Sequence, residues 1–326
     1  MLKIRKSGMQ TTIQDLGRTG FQKYGVIASG AMDPVAHRLA NLLVGNEEQA
    51  ATLEITLAGP VIEFTENVII ALCGGDLDPK IDGATVKMWR MLTVAKGSTL
   101  TFGEPHIGAR SYLAIAGGID VPEVMGSRST YLRAGIGGFQ GRALEKGDEL
   151  MVGQATLQQQ KAIQHNHGNE FDWLLPPVRY FEEPVIRMMP GRQFDLFDKA
   201  SKSRIFQEAF SVSSNSDRMG YRLEGPRLAL ETPAEMISEA VAFGSVQVPA
   251  DGYPIVLLAD RQTTGGYPKI GQVASVDLPL ISQLKSGQQL RFKEISLADA
   301  QQRLIEQEQS IMQVEAAIRL KWEEWT

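Results

Sequence analysis

Apolar and β-branched residues in this chain come in short runs, and turn-forming residues close nearly every one. Leu53 to Thr56, Val61 to Thr65, Val68 to Leu72, Met91 to Ala95, Thr99 to Phe102 and Ser111 to Ala116 follow one another with Gly, Pro, Asn and Asp between them. Such runs are too short for helices, and their spacing predicts an all-β barrel or sandwich. The pair Asp82-Gly83 marks a hairpin turn. One helix interrupts the pattern: Asp33 caps it, Pro34 suits its first turn, and Val35, Leu39, Leu42 and Leu43 line one face before Gly45 stops it.

The texture changes between Gly153 and Pro177, where a glutamine-rich stretch from Leu157 to Gln160 precedes the polar run His165-Asn166-His167-Gly168-Asn169. This composition reads as a linker. Strand-like runs resume at Val185 to Met189, Ser245 to Val248, Ile255 to Ala259 and Gln289 to Lys293. The expected organisation is a first β-barrel domain over 1–153, a polar linker over 154–178, a second β-barrel domain over 179–295 and a C-terminal helix over 296–326. Leu297, Ala300, Leu304, Ile311, Val314 and Ile318 stripe that helix, with Gln307 breaking the stripe. It reads as a strap across its own barrel or as a partner-binding helix. A faint repeat fits two similar domains: Arg18-Thr19-Gly20-Phe21 then Gly25 has the spacing of Arg218-Met219-Gly220-Tyr221 then Gly225, with Asp15 and Asp217 just upstream.

Charge limits the partners. A formal net charge of −5 with 22% charged residues argues against a nucleic-acid or anionic-membrane surface, which needs clustered Lys and Arg. The single cysteine, Cys73, lies in an apolar run and is expected in the core. No apolar stretch follows the basic N-terminal residues, and none approaches the ~20 residues of a spanning helix, so a soluble cytoplasmic protein is expected.

The densest candidate for chemistry is the strand-end loop from Ala259 to Pro268, which gathers Asp260, Gln262, Thr263, Thr264, Gly265, Gly266 and Tyr267. A strand holds such a loop rigidly while its glycines let backbone approach a ligand. The competing reading is a tight turn whose hydroxyls satisfy backbone groups. Around Ser213 to Tyr221, Arg218 either forks onto a substrate carboxylate or forms a structural ion pair with Asp217. Asp15 and Arg18 carry the same ambiguity, and Asp33 is more simply a helix cap than a base.

Several signatures are missing. No Gly-x-x-x-x-Gly-Lys-Ser/Thr loop occurs, so ATP, if used, is not expected on a P-loop in this chain, and Gly135 to Gly141 lacks the dinucleotide spacing. His37, His106, His165 and His167 form no ligand pattern, so no metal is expected. Val86-Lys87-Met88 has valine where a biotin attachment site differs, and no covalent biotin is expected here.

Taken together, Thr12 to Arg18, Ser29 to Asp33, Ala40 to Asn46, Leu53 to Thr56, Ser127 to Thr130, Gly137-Gly138, Ser216 to Leu223 and Gln262 to Pro268 resemble, in order, the allophanate-hydrolase-subunit-2 family. The match spans nearly the whole chain and is weakest in the linker and C-terminal helix. It implies two tandem cyclophilin-like β-barrels. It also implies one component of an ATP-dependent 5-oxoprolinase complex, which opens 5-oxo-L-proline to L-glutamate. Its implied partners there are a KipI-like B subunit, of the allophanate hydrolase subunit 1 family, and an A subunit. In that reading substrate lies near Asp260, Gln262, Thr263, Thr264 and Tyr267. Arg218 or Arg18 holds a carboxylate, and the Gly265 and Gly266 N–H groups stabilise an oxyanion. Two alternatives stay open: a carboxyltransferase component of a biotin-dependent, urea-carboxylase-like enzyme, and a non-catalytic regulator binding a KipI-like partner.

Overall fold

The run Val68 to Cys73 has no polar position because both of its faces are covered. In this computed structural model, which describes residues 1–165, 173–181 and 183–324, it lies in strand Val68–Asp76, between Ile107–Ile115 and Met91–Val94. Val68, Ile70 and Leu72 point into the main core. Ile69, Ala71 and Cys73, all fully buried, lie on the alternate face of the strand, and helix α1 (Pro34–Leu43) packs against this strand. A strand covered on both sides loses the usual alternation. α1 forms as its sequence predicts: the Asp33 carboxylate accepts from the Ala36 N–H at 3.0 Å, Pro34 opens the helix, and Gly45 leaves it at φ +73°.

The chain divides into two compact units. Met1–Arg18, Ser29–Arg179 and Gln309–Thr326 make the first, and Thr19–Ala28 with Tyr180–Glu308 make the second. The first holds a five-stranded sheet, ordered Gln10–Gln14, Thr52–Thr56, Ile107–Ile115, Val68–Asp76, Met91–Val94, and a seven-stranded sheet centred on Leu2–Lys6, Val61–Phe64 and Thr99–Phe102. Leu2, Ile4, Ile62, Phe64 and Leu100 from one sheet meet Ile13, Leu53, Ile55, Leu92 and Leu113 from the other in a single apolar core. The hairpin at Asp82-Gly83 joins Pro79–Ile81 to Ala84–Thr85.

The second unit is a closed seven-stranded barrel: Val185–Pro190, Lys269–Val273, Ser245–Gln247, Ile255–Leu257, Gly220–Glu224, Ala209–Val212 and Gln289–Glu294. Parallel pairing of Val185 with Arg291 and Ile186 with Phe292 closes it. Ile186, Met188, Phe210, Leu223, Val246, Val256, Ile270 and Phe292 fill the interior. Of the two tandem barrels expected, one closes among the described residues, and the first unit holds two sheets over one core. Alternation reports which face of a strand is buried, and a sandwich and a barrel bury the same faces.

The glutamine-rich stretch is ordered. Helix α2 (Leu157–His165) holds Gln159, 2% exposed, whose amide donates to the Val44 carbonyl at 2.8 Å and to Asn46 Oδ1 at 3.2 Å. It thereby satisfies a carbonyl left over at the end of α1. Residues 166–169 of the polar run, His167 among them, lie outside the described residues. Helix α3 (Lys199–Gln207) is capped by Asp198, and the short helix α4 (Leu278–Ser282) follows the barrel's Lys269–Val273 strand. The C-terminal helix α5 runs Leu297–Glu324, with Trp325 outside the described residues. Ala300, Ile311, Ile318 and Trp322 are buried, whereas Leu297 and Leu304 of the expected stripe are exposed. A β-carbon on Gly45 would lie 3.2 Å from the Trp322 ring, so the glycine that ends α1 also admits the tryptophan. No helix among the described residues is long and apolar enough to cross a membrane.

Candidate functional site

The two loops singled out in the second half of the chain meet. Arg218 donates to Asp260 through Nε at 3.0 Å and Nη2 at 3.1 Å, with both side chains buried, and the Asp260 N–H donates to the Arg218 carbonyl at 2.8 Å. Of the two open readings for Arg218, the structure shows an ion pair, with Asp260 rather than Asp217. Asp217 is exposed and accepts from the Met219 N–H at 2.8 Å, tightening the turn that aims Arg218 inward.

Beyond Asp260 the loop turns outward. Arg261 lies over the Phe243 ring at 5.6 Å and donates to the Leu258 carbonyl, and burial lowers its pKa against the opposing pull of Asp260. Gln262, Thr264, Gly266 and Tyr267 are exposed, Thr263 is half-buried and Gly265 is buried. Thr264–Gly265 forms a two-stranded ribbon with Glu239–Ala240, pairing Gly265 with Glu239. Glu239 collects cations: Lys269 Nζ at 2.9 Å and Arg192 at 3.2 Å, with the Gln193 amide at 3.3 Å. The hydrogen bond from Lys269 is the main reason its carboxyl titrates below the usual range. The ribbon thus sets Thr264 and Gly265 beside the charged cluster of Glu239, Lys269 and Arg192.

Asp15 and Arg18 belong to the first unit rather than to this group. Asp15 is enclosed: its carboxylate accepts from the Gly17 N–H at 2.8 Å, Ser127 Oγ at 2.7 Å, Ser129 Oγ at 2.5 Å and the Arg128 N–H at 2.5 Å. Arg18, fully buried, donates to the carbonyls of Val124 and Ser129 at 2.8 Å each. Both aspartates of the faint repeat therefore brace the following backbone, while their arginines pair differently. Gly137 and Gly138 belong to the same corner. Gly138 has φ +53°, and a β-carbon there would fall 1.9 Å from Thr130 Oγ1, which itself donates to the Ile13 carbonyl. Gly138→Ala should cost about 1–3 kcal/mol through clash and positive-φ strain, read as a lower denaturant midpoint at unchanged slope. An open cleft of ≈ 570 Å³ runs beside this corner, lined by Asp15, Gly17, Asn46, Gly117, Arg128 and Gln154 among others.

Behind α1 lies a buried polar network that sequence reading missed. Tyr112 donates to Glu54 at 2.8 Å and accepts from the Asp33 N–H at 2.8 Å, and Glu54 also accepts from the Met32 N–H at 2.9 Å. Burial drives the Tyr112 hydroxyl and the Cys73 thiol well above their ordinary pKa values. Cys73 is a core residue, as expected. Glu239, Lys269, Gln193 and Gln247 also went unremarked. The available signal was a polar residue inside an apolar strand, as at Gln247 in Ser245 to Val248.

A closed barrel and a two-sheet unit in one chain, with this order of motifs, have counterparts. Residues 24–294 match the family described as carboxyltransferase domain, subdomain A and B, and the chain belongs to that family. Over 316 residues it is 42% identical to the C subunit of the 5-oxoprolinase of Escherichia coli (strain K12), covering 94% of this chain and 97% of the relative. With the corresponding 5-oxoprolinase C subunit of Haemophilus influenzae it shares 38% identity over 300 residues, covering 92% and 93%. The crystal structure of the K. lactis urea amidolyase superimposes with a TM-score of 0.85 at 30% identity, covering 95% of this chain and 20% of that one. The chain thus spans a fifth of the urea amidolyase and nearly all of the oxoprolinase relatives.

Proposed function

We propose that this chain is the C subunit of an ATP-dependent 5-oxoprolinase, acting with A and B subunits to hydrolyse 5-oxo-L-proline to L-glutamate. The observation that carries the reading is 42% identity running through 97% of the length of the E. coli relative. A lactam carbonyl is a poor electrophile. Phosphoryl transfer from ATP to its oxygen would convert it to an activated imidate. ADP departs at that step; water then adds to the carbon, the C–N bond opens with the ring nitrogen leaving as the amine, and a second water cleaves the resulting acyl phosphate to give glutamate and phosphate.

We assign substrate contact to the loop from Gln262 to Tyr267. Thr263 and Thr264 supply hydroxyls, and the Gly265 and Gly266 backbone is the candidate oxyanion donor. Arg218 and Asp260 brace that loop through their ion pair, and Arg18 and Asp15 brace the corresponding turn of the first unit. The test is 5-oxoproline-dependent release of ADP and glutamate by the chain with A and B subunits and by each preparation lacking one of them. Only the full set should turn over, and Thr264→Ala should lower turnover about tenfold in a complex that still co-purifies. Full activity without this chain, or in the Thr264→Ala complex, would refute the corresponding assignment. The likeness to a urea amidolyase supports a second reading, carboxyl transfer from carboxybiotin on a separate carrier. An inactive full set that carries out that transfer would establish it.

A further inference from the structure

Gln247 sits in the barrel strand Ser245–Gln247, 1% exposed, and its Nε2 finds no hydrogen-bond partner among the described residues. A buried amide donor left unpaired is costly, and such groups persist where a function retains them. What covers it is the candidate loop itself. A β-carbon on Gly265 would lie 2.3 Å from Nε2, so glycine is what allows that backbone to rest on the amide. The cover is slight, because the ribbon has two residues on each side. Its other attachment is electrostatic, through Glu239 to Lys269, the residue paired with Gln247 across the barrel ladder.

We propose that Gln247 joins the Gly265 and Gly266 N–H groups as a carbonyl-binding donor of this site, reached when the Glu239–Ala240/Thr264–Gly265 ribbon shifts off its amide without leaving the site. The ligand is a small amide bearing a carboxylate. Its carbonyl oxygen accepts from Gln247 Nε2, and its carboxylate takes the place of Glu239 at Lys269. No bond is made or broken in this step: one carboxylate exchanges for another at the same ammonium, and an unsatisfied donor gains its acceptor. The inference rests on the oxoprolinase reading and adds to it the residue that recognises the lactam oxygen.

Gln247→Met removes the donor with little change of shape. In the three-subunit complex it should raise the KM for 5-oxo-L-proline about tenfold, with kcat changed by less than about threefold. The isolated chain should melt at the same temperature as wild type or higher, since the unpaired amide is gone. A residue of merely structural importance would show the opposite pattern, a lower melting temperature with unchanged KM. Gln247→Glu keeps the shape with acceptors only, so its KM should rise as well, which guards against poor folding of the methionine variant. Turnover by the wild-type complex with unchanged KM in both variants overturns this inference alone. No turnover by the wild-type complex overturns the oxoprolinase reading and this inference with it.

Discussion

Asp260→Ala should lower stability by about 3–5 kcal/mol, because it leaves the Arg218 guanidinium charged and buried without its carboxylate. The two side chains, Arg218 and Asp260, are 5% and 7% exposed, so water cannot readily replace the lost partner. Converting both residues, Asp260→Leu with Arg218→Met, should cost much less than the alanine variant, since no uncompensated charge remains. Urea unfolding followed by far-UV circular dichroism separates the cases. An alanine variant within about 1 kcal/mol of wild type would mean that Arg218 is held by its other contacts and that the pair braces nothing.

Acid should act through His37. The ring is fully buried, with Nδ1 2.9 Å from Thr52 Oγ1 and Nε2 3.5 Å from the Asn41 amide. Desolvation lowers its pKa from 6.5 to about 4, overcoming the opposing influence of Asp15 and Glu54. A lowered histidine pKa means that the unfolded chain binds the proton first. The neutral ring's contribution is intact above the unfolded value of 6.5, and stability falls as pH drops from there toward 4. At about 1.4 kcal/mol per pH unit, the loss reaches about 3 kcal/mol by about pH 4. In His37→Gln this component should vanish, so wild-type stability measured from about pH 8 to about pH 4 should fall more steeply than the variant's. Parallel curves would show that another group carries the acid sensitivity.

Legibility in the sequence followed the range of the interaction. α1 could be read to the residue, because an aspartate cap, a proline in the first turn and a terminal glycine are local signals. The run Val68 to Cys73 was recognisable as a strand, but its uniform apolarity revealed its two covers only when α1 was seen packed against it. Closure of the barrel depends on the parallel pairing of Val185–Pro190 with Gln289–Glu294, two segments about a hundred residues apart, and no local pattern encodes that. At the candidate site the crowding of polar groups after Ala259 was visible. The partner of Arg218 was not, because Asp217 is adjacent in sequence while Asp260 is adjacent in space. Gln159 shows the same limit from the other side: within a glutamine-rich stretch nothing marks the one residue whose amide reaches Val44.

The first unit takes its last segment from beyond the second. Gln309–Thr326 follows Arg179 by about 130 residues, and it carries Ile311, Ile318 and Trp322, which are buried. At about 5–20 residues per second of synthesis, those side chains leave the ribosome on the order of ten seconds after the rest of their core. The N-terminal half must wait for them with the surface around Gly45 uncovered, while the barrel's last strand, Gln289–Glu294, emerges earlier. In the cell, then, the barrel has its full complement of strands while the half that precedes it still lacks its last helical segment.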